Sequence, residues 1–132
     1  MSIESIKVKT LELSGVALDW VVEQIEFDRR LAQGEHVKSW VLEQHAEGST
    51  HARYSEDWLW SGEIFAREIQ EFRRESDETF WAATETFQAV GPTPIVAVLR
   101  AYAASQVGLE VEIPRLLASE MQRAPAPRPP RG

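Results

Sequence analysis

Apolar side chains at Leu18, Val21, Val22 and Ile25 recur at i, i+3, i+4 and i+7, the spacing that lines one face of an α-helix. Ser14 precedes them as a good N-cap, so the pattern predicts a helix from Gly15 to about Leu31. Trp20 and Phe27 fall off that stripe on a second apolar edge, which predicts a helix clamped between two layers. Upstream, Ile6-Lys7-Val8-Lys9 alternates apolar and basic residues in the manner of a half-buried edge strand. Downstream, the run from Pro94 to Ala104 is apolar on nearly every face. Thr93 as N-cap, Pro94 at the first helical position and a closing Gly108 predict a main helix over about 93–107. Val111-Glu112-Ile113 then reads as a short strand or strap.

The middle of the chain is patterned less sharply. Tyr54 to Trp60 reads as a loop rich in aromatics, and Gly62 to Glu71 as a short helix through Ile64, Phe65, Glu68 and Ile69. Arg73 to Glu78 is a charged, solvated connection, and Phe80 to Phe87 is a further strand candidate. Val37, Trp40 and Val41 suit a helical face, while Val37 to Leu42 could equally be a strand before a turn at Gly48-Ser49. Together these elements predict one α+β domain over residues 1–122, with a small antiparallel sheet packed against the two main helices. Residues 123–132 are rich in Pro and Arg and are expected to be a disordered tail, formally carrying P-x-x-P at Pro127-Arg128-Pro129-Pro130.

Composition narrows the function classes. At 132 residues the chain can bury a core without disulfides or metals, and its lack of cysteine removes thiolate sites and a cysteine nucleophile. The net charge is −7, and the tail holds Arg123, Arg128 and Arg131 with no acid, so the body through Gln122 carries −10. Such a body repels a phosphate backbone and an anionic membrane surface, so direct nucleic-acid binding and membrane association are not expected. The start lacks the basic and apolar regions of a signal peptide, which predicts a cytoplasmic protein.

Few residues point to chemistry. His36, His45 and His51 form no metal-binding spacing and are expected on exposed strands or loops. Ser55 and Ser61 lack a nucleophile elbow, and no phosphate loop occurs. No cofactor and no catalytic residue is therefore expected. The start of the 93–107 helix offers free amides and a positive dipole end to an anion, though every well-capped helix does the same. Arg100 is the one charged residue between Thr93 and Leu109; it is either a buried ion-pair partner of Glu68 or Asp57, a snorkelling side chain, or an anion-binding fork. Tyr54, Trp58 and Trp60 either stack on a base or a protein partner, or fold back as a lid on the core. Asp57 either fixes that loop through backbone amides or reads a ribose hydroxyl.

Leu13, Gly15, Leu18, Asp19 and Trp20, the block Asp57, Trp58, Gly62, Ile64, Arg67 and Glu68, then Trp81 and Ala83, and finally Thr93, Pro94 and Arg100 together resemble the small phage proteins of the NinX family. The resemblance spans about residues 6–29 and 54–114 and favours strands within 33–53. It departs in one place: the family's Ala-Gln-Gly-Gly-Pro is here the bulkier Leu59-Trp60-Ser61-Gly62-Glu63. The family has no settled activity. Its aromatics, acids and arginines without a nucleophile suit binding better than turnover. The resemblance therefore implies a phage-encoded small-molecule-binding protein of the host bacterial cytoplasm. It would sequester a nucleotide-derived host defence signal, an anionic ligand held by Tyr54, Asp57, Trp58, Trp60, Arg67, Thr93 and Arg100, with a homo-oligomer interface as one setting for the site. The alternatives are a non-enzymatic interaction protein that inhibits a host enzyme, and an accessory factor in phage nucleic-acid metabolism.

Overall fold

The computed structural model describes residues 4–122; the Pro/Arg-rich segment 123–132 lies outside the described residues. Strand β1 (Ser5–Lys9) leads through a short 3-10 turn into helix α1 (Gly15–Ala32). Helices α2 (Ser39–Ala46) and α3 (Trp58–Glu68) follow, then a three-stranded meander of β2 (Glu71–Ser76), β3 (Thr79–Ala83) and β4 (Gln88–Gly91). Helix α4 (Pro94–Val107), strand β5 (Glu110–Pro114) and helix α5 (Arg115–Gln122) complete the fold. The class is α+β, with two small antiparallel sheets rather than one. β1 pairs with β5 from Ser5↔Pro114 to Lys9↔Glu110, and the meander runs in the order β2-β3-β4.

Helix α4 is apolar all round because it is the partition between two cores. Ile95, Val96, Leu99, Tyr102 and Ala103 face one core, together with Leu18, Val22 and Ile25 of α1, Ile113 of β5 and Leu117 of α5. Ala97, Val98 and Ala101 face the other, with Ala82 and Ala89 of the meander and the edges of Leu11, Phe65 and Phe80. Small residues on this second face let the sheet approach closely. A Cβ on Gly91 would come within 2.7 Å of the Ala97 amide nitrogen, so the end of β4 rests directly on the first turns of α4.

Four expectations need correction. The segment 33–53 holds no strand; Val41 and His45 of α2 pack inward on a helical period instead. Trp58 to Trp60 are the first turn of α3, not loop, because Asp57 caps the helix by accepting from the Leu59 amide at 2.9 Å. The charged run Arg73 to Glu78 is strand β2 and its turn, exposed along its whole length as an edge strand can be. His45, expected on the surface, is buried.

Candidate functional site

Helix α1 carries three buried acids, Asp19, Glu23 and Glu26. At 100° per residue they fall on one arc, between the Leu18-Val22-Ile25 stripe and the Trp20-Phe27 edge. Apolar neighbours on both sides force this arc inward, and each carboxylate must then find partners. Asp19 accepts from the Ser55 amide at 2.6 Å. Burial raises its pKa, opposed by that bond. Glu23 accepts from the His51 and Ala52 amides at 2.7 and 3.1 Å and meets Nδ1 of His45 at 2.9 Å. The His45 ring lies parallel to Trp20, 4.5 Å between centroids, and meets the edge of Phe27. Trp20 Nε1 donates to the His45 carbonyl at 2.7 Å. The second apolar edge of α1 thus clamps α2, while its acids pin residues 51–55.

Glu26 meets the opposite charge. Tyr102 donates to it at 2.9 Å, and Arg67 Nη2 lies 3.3 Å from it and 3.1 Å from the Tyr102 hydroxyl. Arg67 Nε donates to Glu68 at 2.7 Å, and Nη1 stands 3.5 Å from Glu63. Burial opposes the charge on this guanidinium, but Glu68, Glu26 and Tyr102 together outweigh it and hold its pKa above the ordinary arginine value. Glu63 and Glu68 both meet this one arginine.

Arg100 takes neither an acid nor an open cleft. Its Nε donates to the Leu13 carbonyl at 2.8 Å and Nη1 to the Val90 carbonyl at 3.0 Å. It therefore ties the segment before α1 to β4 across α4. Burial lowers its pKa, and Glu12 pulls in the other direction. Thr93 Oγ1 accepts from the Val96 amide at 3.1 Å, the ordinary N-cap bond. Tyr54 is buried, edge-on to Trp60 at 6.1 Å. Of the seven residues assigned to a ligand site, Asp57, Arg67, Thr93 and Arg100 thus have hydrogen-bond partners inside the fold, and Tyr54 is buried. Arg67 alone among the seven lines a described cleft, of about 310 Å³, beside Glu68, Thr84, Glu85 and Ser105.

The two of the seven that stay substantially exposed without a side-chain hydrogen bond are Trp58 and Trp60, with Leu59 between them. They are 45%, 40% and 80% exposed on the first turn of α3. Trp58 starts a chain of aromatic contacts: it meets Phe65 at 5.8 Å, Phe65 meets Phe72 at 5.7 Å, and Phe72 stacks on Phe80 at 6.3 Å. Phe72, on the edge strand, is itself exposed. On the other face of the meander Arg73 lies over the Trp81 ring at 4.1 Å. Among the described residues no cluster of His, Asp and Glu could hold a metal ion, and no helix is long and apolar enough to cross a membrane.

Two cations at the far end of α1, Arg29 and Arg30, were absent from the sequence-based site although they line a cleft with His36 and Gln33. Adjacent arginines in the last turn of a helix read as dipole partners, and nothing in their spacing marks a cleft. No curated protein matches the chain significantly. A family model described as "Bacteriophage P22, NinX" matches residues 9–106, which take in α1 through α4 and therefore the buried acids, the Arg67 cluster and the aromatic face. The chain belongs to that phage protein family.

Proposed function

We propose that this phage protein is a non-catalytic interaction module that docks on a basic surface of a host bacterial protein in the host cytoplasm. The exposed first turn of α3 carries the reading. Three large apolar side chains stand in water there, although the fold buries the acids Asp19, Glu23 and Glu26 of α1. Clustered aromatics of this kind are the usual anchors of protein interfaces. Glu56, Asp57 and Glu63 surround them, and the body carries −10 through Gln122. Charge of that size steers the module toward a positively charged partner and away from nucleic acid. A host enzyme with a cationic, substrate-binding surface fits these terms, and covering it would inhibit that enzyme.

A nucleotide-derived ligand held at Thr93, Arg100 and Arg67 fits less well, because Thr93 Oγ1, Arg100 Nε and Nη1 and Arg67 Nε and Nη2 are already bonded within the fold, which leaves Arg67 Nη1 without a hydrogen-bond partner. The test is reconstitution. A host protein captured from lysate, then purified alone, is expected to bind the wild-type chain with an affinity that falls as salt rises. It is expected not to bind Leu59→Glu, a change at a side chain with nothing to lose in the core. A complex that forms equally with Leu59→Glu, or the failure of any captured protein to bind once purified, refutes the reading.

A further inference from the structure

Among the described residues, Trp58, Leu59 and Trp60 are the large apolar side chains that stand exposed side by side along the chain, whereas Leu31, Trp40, Val90 and Leu116 stand singly. Acids outnumber cations around this turn. From Arg53 to Glu68 the chain carries Glu56, Asp57, Glu63 and Glu68 against Arg53 and Arg67. Both cations are already engaged: Arg53 meets Glu56 at 3.0 Å, and Arg67 is shared by Glu26, Glu63 and Glu68. Asp57 meets no cation among the described residues and spends one oxygen on the Leu59 amide. Glu63 follows Leu59 and Trp60 by four and three positions, on the same helix face, and its side chain is 78% exposed. The face is aromatic at its centre and anionic at its rim.

The ten residues after α5 are the chemical complement of this face. Residues 123–132, outside the described residues, contain Arg123, Arg128 and Arg131 without an acidic side chain, and four prolines, Pro125, Pro127, Pro129 and Pro130. Proline rings pack against aromatic side chains, as in the grooves that take proline-rich ligands. Arginines between them can pair with carboxylates or lie over an indole. The same prolines lack an N–H, so this segment is a poor addition to the open edge of β2. Reach is sufficient: ten residues span about 33 Å at full extension, against a radius of gyration of roughly 13 Å for a domain of this size.

We infer that residues 123–132 dock within the same chain on the first turn of α3, prolines against Trp58 and Trp60 and arginines on Asp57 and Glu63. The inference rests on reading this turn as a docking surface for a cationic partner, and adds its regulation. The chain's own basic segment occupies the surface when the protein is free, and a basic partner must displace it. Such a segment needs little intrinsic affinity, because a short connection holds it at an effective concentration of about mM order. Its arginine–carboxylate pairs are at the surface, so salt weakens the contact.

The chain has no cysteine, so Ala126→Cys gives the full chain a single attachment point for a nitroxide, whose broadening is read on amide and indole N–H resonances. Trp58, Leu59, Trp60 and Glu63 are expected to lose most of their intensity. They are expected to regain it in the added variant Arg123→Glu/Arg128→Glu/Arg131→Glu, and at about 1 M salt, where the Debye length is about 3 Å. Broadening confined to the neighbours of Gln122, or broadening at α3 that survives the charge reversal, overturns the inference. So does broadening that passes to a copy without the nitroxide mixed in equal amount, since the contact is then between chains. No host protein enters this experiment. Absence of the tail contact therefore leaves the docking surface standing, while a tail contact with no host partner removes the docking reading and keeps the contact.

Discussion

Replacing Glu23 by Ala tests whether the buried acids of α1 organise the fold. Glu23 is 1% exposed and its two oxygens have three partners: His45 Nδ1 at 2.9 Å and the amides of His51 and Ala52 at 2.7 and 3.1 Å. The His51 amide is only partly buried, so water can replace the carboxylate there. The Ala52 amide and the His45 ring are buried and would be left without a partner. Each such orphan costs about 1–3 kcal/mol, which puts the loss for Glu23→Ala at about 2–6 kcal/mol. A domain of this kind has roughly 5–15 kcal/mol in total. Glu23→Gln keeps the volume, an acceptor for the amides and a polar contact to the ring, and loses the charge-assisted part, about 1–2 kcal/mol. Urea unfolding of both variants gives the comparison, provided the denaturant slope is unchanged. An Ala variant within about 1 kcal/mol of wild type, or a Gln variant as unstable as the Ala variant, refutes the reasoning.

Two further outcomes follow from the buried polar groups. Arg100→Lys can reach only one of the two carbonyls that Arg100 joins, so the variant should lose about 1.5–3 kcal/mol in thermal unfolding; an unchanged melting temperature would return Arg100 to the role of a ligand fork. Both tyrosines of the chain, Tyr54 and Tyr102, have raised pKa values through burial and the neighbouring acids, Tyr54 to about 12. Their stabilisation is complete below the unfolded value of 10 and is lost as pH rises through the folded one. Tyrosinate absorbance should therefore be absent at pH 10 in the folded protein and appear together with unfolding, whereas a titration centred at pH 10 would falsify the burial of both hydroxyls.

What could be read from the sequence was whatever depended on local period and caps. Helix α1 followed from its Leu18-Val22-Ile25 stripe and α4 from Thr93, Pro94 and Gly108, because those signals act within a few residues. Strand β1 was likewise evident from alternation, and β5 as a short strand or strap. Helix α2 was ambiguous, since Val37, Trp40 and Val41 fit two periods; the deciding contacts, His45 with Trp20, Phe27 and Glu23, come from residues about 20 positions earlier. Helix α5 gave no sign on its own and forms where Leu117 and Ala118 meet the core.

The site followed the same division. Arg100 was recognised as an anomaly in an apolar helix, but its partners are backbone carbonyls, which every residue possesses and no sequence pattern marks. Arg67 and Glu68 were picked out by the family resemblance alone, and the Glu26 and Tyr102 that complete their cluster lie 41 and 35 positions from Arg67. The acid arc on α1 was detectable: Asp19, Glu23 and Glu26 sit between two apolar stripes, and that placement alone requires burial.

The distribution of charge also separates scaffold from function. A buried ion that had to release its partner to bind a ligand would leave an uncompensated charge in the core, a cost of about 3–5 kcal/mol for a broken buried pair. Arg67 Nη2 cannot leave Glu26 and Tyr102 for a phosphate without losing those bonds, and Asp19 and Glu23 cannot leave the 51–55 amides without freeing that segment. The fold therefore confines recognition to groups that have no internal partner. Among the described residues, Trp58, Leu59 and Trp60 at the start of α3 are exposed groups of this kind that make no side-chain hydrogen bond. Several residues singled out in the linear sequence, such as Arg100 and Thr93, are bonded within the fold, whereas Trp58 and Trp60, singled out with them, remain substantially exposed.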